Sequence, residues 1–338
     1  MKKLSLMCLA AALMLSLCSC SVYKGVYKER EGLLFNYNNA TASNYSGWFT
    51  EDTHCYYHDF FIFCNLHVDT PKGGRLVRPD AGRVQTVGDK LYIAEDGQNW
   101  DRIVQTDLYG NNSKTLCSEE EYYNEYLVLD DFLFTLGRQD YTGEPQSSLK
   151  KVSLTTKEVT EISDICCTFG VVNNTLIYVT WEQNICTVYS YHQNKSTFLG
   201  KFECVLDGYY LPIYKANFTK NYVVLKIDDL NRCSSKLLRY DYQQNVLEIK
   251  EFPFYIETLV AFDQYAFLSG IYDMDENSDD IKYIYHMRLD DFSIKEIDQM
   301  EGFVYLFVIS ENDAYIKSTE SGLFHYKSDG TKEPVYKS

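Results

Sequence analysis

The sequence predicts an all-β fold, a β-propeller of four-stranded blades, on three observations: a recurring hairpin, a recurring second half to each hairpin, and a composition rich in strand-forming aromatics. Phe61, Leu91, Leu133, Ile177, Val223, Ala266 and Ala314 fall at equivalent points of the recurring unit, at spacings of 30, 42, 44, 46, 43 and 48 residues. Repeats of that period, built from alternating apolar strands, are propeller blades rather than helical solenoid turns. Seven units are countable, and six blades with an irregular cap is the alternative count.

Taken from its start, the chain opens with Lys2-Lys3, runs apolar from Leu4 to Leu17 and then reads Leu17-Cys18-Ser19-Cys20. The pattern resembles bacterial lipoprotein signals, in which the cysteine after a small residue takes the lipid and becomes the mature N-terminus. Cys20, after Ser19, fits better than Cys18, after Leu17. The fourteen residues from Leu4 to Leu17 are too few to span a bilayer comfortably. The expected organisation is a signal peptide over 1–19, a lipidated segment over 20–39 and a propeller over 40–338. Within the second part, "GLLFNYN" (32–38) is a candidate ring-closing strand. The expected address is the outer face of the bacterial cell membrane, held by the lipid alone.

The hairpins come next in order. "VGDKLYIAED" (87–96) reads as two strands about a Gly88-Asp89 turn, and "VLDDFLFTLG", "VVNNTLIYVT", "FTKNYVVLKI", "AFDQYAFLSG" and "VISENDAYIK" repeat the form. Each is followed by a third strand, a polar turn and a fourth strand, as in "TVYSYHQNKSTFL", "KLLRYDYQQNVLEI" and "LFHYKSDGTKEPV", the last turning at Ser328-Asp329-Gly330-Thr331. Thirty tyrosines and nineteen phenylalanines suit such pleated, half-buried surfaces.

Without residues 1–19 the chain carries 30 basic against 48 acidic side chains, a formal charge of −18. Nucleic acid is therefore excluded as a partner, because affinity there comes largely from cations on phosphate. Acidity of this size reads as solvation of an exported, monomeric protein. Beyond Cys20 lie Cys55, Cys64, Cys117, Cys166, Cys167, Cys186, Cys204 and Cys233. Export permits them to pair, but the core is large enough not to need staples, and buried cysteines also act as small hydrophobes.

"NNATASNYSGWFTEDTHCYYHDFFIFCN" followed by "VGDKLYIAED" resembles a bacterial surface-lipoprotein β-propeller domain of unknown function, related to the low-density-lipoprotein-receptor-type (YWTD-like) propellers. The resemblance spans about residues 40 to 337. It implies a propeller on a lipid anchor and brings no catalytic residues with it.

In such a fold the loops joining second and third strands gather on one rim with the links between blades. Here they include "EDGQNWD" (95–101), "GRQDYTGEPQS" (137–147), "DDLNRCSS" (228–235) and "YDMDENSDD" (272–280). Trp100, Asp101, Arg138, Tyr141, Trp181, Asp228, Arg232, Tyr272 and Asp273 are the candidate ligand-binding residues, since aromatic surface with a few placed polar groups makes a binding site. A glycan, peptide or protein is the expected ligand.

Two metal patterns are incomplete. Asp273, Asp275, Asn277 and Asp279 begin like a calcium loop, but Ser278 and Ile284 stand where glycine and glutamate belong. Cys55, His58, Cys64 and His67 have a zinc-like spacing. A hairpin turning at His58-Asp59 instead sets Cys55 opposite Cys64, as a disulfide or two packed thiols. No metal or cofactor is expected. Nucleophile-elbow, phosphate-loop, dinucleotide and zinc-protease motifs are missing. The expectation is thus a non-catalytic binding propeller, with a glycan hydrolase using rim carboxylates, or an envelope assembly or sensing factor, as alternatives.

Overall fold

The computed structural model describes residues 26–27, 48–49, 55–59, 65–70, 73–78, 81–87, 89–96, 101–119, 123–137, 147–172, 175–203, 216–229, 233–272, 281–302, 304–318, 320–334 and 336–337. Its elements there are all β-strands. β1 (Val26–Tyr27) precedes seven consecutive four-stranded antiparallel units. The first is β2–β5 (Trp48–Phe49, Cys55–Asp59, Asn65–Thr70, Gly73–Arg78), and the second is β6–β9 (Ala81–Val87, Lys90–Asp96, Asp101–Asp107, Lys114–Glu119). The third is β10–β12 (Tyr123–Leu129, Phe132–Gly137, Ser147–Ser153) with the first part of β13 (Val159–Val172). The fourth is the rest of β13 with β14–β16 (Thr175–Glu182, Ile185–His192, Lys195–Glu203). The fifth is β17–β20 (Ala216–Phe218, Tyr222–Asp229, Ser234–Asp241, Val246–Phe252). The sixth is β21–β24 (Tyr255–Phe262, Tyr265–Ile271, Ile281–Arg288, Ile294–Glu301), and the seventh is β25–β28 (Val304–Ser310, Asp313–Ser318, Gly322–Lys327, Lys332–Pro334). β29 (Tyr336–Lys337) ends the chain and pairs with β1.

The chain is a β-propeller, and the count of seven agrees with the repeat. Each hairpin closes where its turn was expected: Val87 pairs with Lys90, Leu129 with Phe132, Val172 with Thr175, Phe262 with Tyr265 and Ser310 with Asp313. Leu91, Leu133, Ile177, Val223, Ala266 and Ala314 all lie buried in second strands. Phe61 lies outside the described residues. The second strand of the first blade ends at Asp59, before it.

Blade one departs from the expectation in a second way. Asp59 pairs with Asn65 and His58 with Leu66, so the connection falls at 60–64 rather than at His58-Asp59. Cys55 stands opposite Asp69 at the far end of the hairpin. Cys64 is outside the described residues. The reading of Cys55 and Cys64 as a disulfide or two packed thiols therefore lies outside the described residues. Elsewhere the small-hydrophobe reading of cysteine holds. Cys166, Cys167 and Cys186 are buried, and the Cys167 thiol donates to the Val179 carbonyl at 3.2 Å. "GLLFNYN" lies outside the described residues.

The core occupies the seams between blades. Along β18, Val223 and Leu225 pack toward blade four with Trp181, Val188, Phe202 and Tyr240, while Tyr222 and Val224 pack toward blade six with Leu237, Phe254 and Leu268. A period of two with both faces buried explains the nearly continuous apolar runs. Burial of each such aliphatic side chain contributes about 1.5–3 kcal/mol.

Among the described residues β13 has no counterpart in the other blades. It pairs with β12 through Val159, Thr160, Glu161, Ser163 and Cys166, then with β14 from Cys166 to Val172, fusing blades three and four into one seven-stranded sheet. Register shifts on both sides of Cys166 let one strand pass from the outside of one blade to the inside of the next.

Innermost strands are joined to their neighbours by buried polar side chains. The Gln85 amide donates to the Val128 carbonyl at 2.9 Å and accepts from the Val128 N–H at 2.6 Å, linking β6 to β10. Thr168 accepts from the Ala216 N–H at 3.3 Å, and Asn217 from the Ala261 N–H at 3.0 Å. Gln85→Leu strips both groups of Val128 of this partner, and its expected cost is about 1–3 kcal/mol, read from denaturant midpoints. A cost within error of zero would show that the bridge does not brace the ring.

Candidate functional site

Because strands alternate in direction, every second-to-third-strand connection leaves from the same end of its blade, the end at which blades are linked. The site is built at that end, on blades five and six. β22 stops at Ile271, and Tyr272 stands beyond it, 48% exposed. Its ring lies 5.3 Å from Phe254 and 5.0 Å edge-on to Tyr283, and its hydroxyl meets the Tyr285 hydroxyl at 3.0 Å. Phe254, in the link between β20 and β21, stacks on Tyr285 at 5.1 Å and tilts against Phe252 at 5.5 Å. Phe252, Phe254 and Tyr285 are buried. One exposed phenol therefore rests on a packed aromatic base.

The backbone makes room for that base. A Cβ on Gly270 would sit 2.5 Å from Phe254 Cδ2, so glycine is what lets the phenylalanine ring lie over β22. Tyr283 and Tyr285 share one face of β23 by its period of two. Blade five closes the flank. The Cys233 thiol donates to the Ile271 carbonyl at 3.4 Å, and the Lys226 ammonium donates to the Ile256 carbonyl at 2.6 Å while standing 4.7 Å from the Tyr255 ring centroid. Burial, and then the hydrogen bond with Tyr272, hold the Tyr285 phenol well above the ordinary tyrosine range, so it stays protonated. Aromatic surface, hydroxyls and a nearby cation can stack a planar or ring-shaped group and hydrogen-bond its edge.

Of the residues predicted from sequence, Tyr272 is exposed where β22 ends. Asp101 begins β8 opposite Asp96, and Asp228 lies near the end of β18 opposite Ser235, both at this end of their blades. Trp100, Arg138, Tyr141, Arg232 and Asp273 lie outside the described residues, as does the acidic stretch 273–280. Trp181 is corrected. Glu182 pairs directly with Ile185, so the connection is only two residues long, and Trp181 stays within β14 opposite Cys186. Its side chain is buried in the seam between blades four and five. Phe254, Tyr283, Tyr285 and Lys226 were not predicted. The Tyr283-x-Tyr285 alternation directly after the long loop was the available signal. Among the described residues no group of three or more metal-ligating side chains occurs.

No family model matches the chain, and no curated protein matches it in sequence. In structure it is similar to the Saccharomyces cerevisiae protein Sqt1, with a TM-score of 0.53 and 10% identity over 85% of this chain and 82% of that one. It is also similar to the β-propeller domain of the Trilobed protease from Pyrococcus furiosus, described as having an open velcro topology, with a TM-score of 0.52 and 13% identity over 84% and 91%. A prolyl endopeptidase gives a TM-score of 0.54 and 11% identity over 92% of this chain, which spans about half, 52%, of that enzyme. At these identities the likeness establishes the propeller fold and nothing finer.

Proposed function

We propose that the protein is an exported, lipid-anchored β-propeller of the bacterial surface-lipoprotein kind that binds a glycan, peptide or protein ligand without catalysing a reaction. The observation that carries the reading is Tyr272, an exposed phenol held on a buried aromatic base where two blades meet. Rigid aromatics of this sort supply contact area at little entropic cost, and loops on a stiff sheet are where binding residues collect. Cys20, in its lipoprotein-like context, supports the anchor. Replacing it with Ala is expected to abolish incorporation of radiolabelled lipid.

The test of binding is a glycan and peptide array probed with the soluble fragment that starts at Ser21. For the ligand so found, Tyr272→Ala is expected to weaken affinity by about 1–3 kcal/mol, because aromatic anchors dominate such interfaces. Asp89→Ala, in an exposed turn at the opposite end of the blades, is expected to leave it unchanged. Equal losses from the two variants, or a loss from Asp89→Ala alone, would place the site elsewhere.

A further inference from the structure

We propose that Tyr285 positions Tyr272 as a fixed hydrogen-bond donor, so that the aromatic shelf selects a peptide whose backbone carbonyl accepts that proton; the proposal rests on the binding reading above. The reason lies around one buried hydroxyl. Tyr285 is 3% exposed and stacks on Phe254 at 5.1 Å. Its hydroxyl meets the Tyr272 hydroxyl at 3.0 Å, and among the described residues it makes no other hydrogen bond. Glu296 stands opposite Tyr285 in the ladder between β23 and β24, but it is exposed and its carboxylate accepts from the Gln299 amide at 2.9 Å. Leaving a buried hydroxyl proton without an acceptor lowers a folding constant about tenfold. The Tyr285 proton therefore points at the Tyr272 oxygen. A phenol that accepts there keeps its own proton for another partner, and Tyr272, half exposed, turns that proton outward. Burial keeps the Tyr285 phenol protonated, so this donor is present at neutral pH.

The surroundings of Tyr272 select what accepts its proton. The ring is held edge-on to Tyr283 at 5.0 Å and tilted to Phe254 at 5.3 Å, so it has little freedom to lose when a partner binds. Ile281, Tyr283 and Tyr285 share one face of β23 by its period of two, and Ile281 is 37% exposed at the loop end of that strand. An outward phenolic proton beside an aliphatic surface matches a backbone carbonyl flanked by an apolar side chain. A carboxylate would meet the same donor, but the chain carries a formal charge of −16 and repels anions at long range. A sugar ring carries hydroxyls around its rim, for which Ile281 offers no partner.

The experiment places O-methyltyrosine at Tyr272 in the full-length protein, a side chain that still accepts a hydrogen bond but cannot donate one. Tyr272→Phe, which does neither, is expected to lower the folding equilibrium constant about tenfold, because the Tyr285 proton loses its acceptor. The O-methyl protein is expected to keep the wild-type stability. Wild type, the O-methyl protein and Tyr285→Phe are then probed with a peptide array and an array of N-acetylated glycans. Peptides held by the wild type are expected to bind the O-methyl protein about tenfold more weakly for want of the donor. Tyr285→Phe, which leaves Tyr272 intact but unheld, is expected to lose several-fold. An O-methyl protein as unstable as Tyr272→Phe, or one that holds the peptides as the wild type does, overturns this proposal alone. Wild type that binds the glycans and no peptide overturns the choice of ligand. Arrays left blank by the wild type overturn the binding reading itself, while the stability comparison still decides which phenol donates.

Discussion

Arg239→Ala is expected to destabilise the propeller by about 3–4 kcal/mol, more than any single truncation on the rim. The Arg239 side chain is 7% exposed, between blades five and six. Its guanidinium donates to the Leu289 carbonyl, pairs with Glu248 at 2.7 Å and lies between two rings, 5.0 Å from the centroid of Tyr222 and 5.2 Å from that of Phe292. Phe292 holds its place from a left-handed backbone, φ 55°. Losing the cation removes both ring contacts and the bond to a buried carbonyl from a neighbouring blade. Glu248 is half exposed and returns to water at little cost, which keeps the loss from being larger. Arg239→Met preserves the stem and abolishes a buried charge whose Nε has no hydrogen-bond partner among the described residues. Its expected cost is about 2 kcal/mol, mostly for the Leu289 carbonyl left bare. Chemical denaturation of the three proteins checks the order, and an alanine cost below about 1 kcal/mol would remove Arg239 from the list of braces.

Gly200→Ala is expected to cost about 3 kcal/mol although glycine there has no unusual backbone angle. The cause is proximity. A Cβ on residue 200 would stand 2.0 Å from the Tyr240 hydroxyl and 3.0 Å from Cζ. Tyr240 cannot yield, since it is buried, lies 4.6 Å from the Phe202 ring and donates to Asn245 Oδ1 at 2.6 Å. Tyr240→Phe removes the oxygen that the new methyl strikes. In a double-mutant cycle the pair should therefore cost less than the two single changes added, with a coupling of about 1 kcal/mol or more. Simple additivity would mean that the strain falls elsewhere.

Much of the fold was legible because the chain spends its apolar residues in pairs around polar turns, and a strand buried on both faces has few other ways to read. Blade one was misread where "CYYHDFFIFCNLH" runs apolar through strand, connection and strand, with no polar break to mark the turn. The repeat gave no sign that one strand, β13, would serve two blades. The site was legible in part. Tyr272 stands beside a long polar loop, which is what let its exposure be read from sequence. Trp181, next to Glu-Gln-Asn, looked equally loop-borne, but a two-residue connection drew it into the seam. Phe254 and Tyr285 are supports rather than surface, and their role exists only once Gly270 brings separate strands within ring contact.

A ring of separately bonded sheets bends at its joints, much as a bracelet does at its links. Between blades three and four the link is absent, because β13 passes through as a continuous beam whose backbone bonds would have to break before the two could tilt apart. Any widening of the central channel must then be shared unequally, with the compliance falling on other seams and blades three and four turning as one rigid sector. The axis of that motion is fixed by the covalent path of a single strand, so where the channel gives way is written into the chain before any ligand arrives.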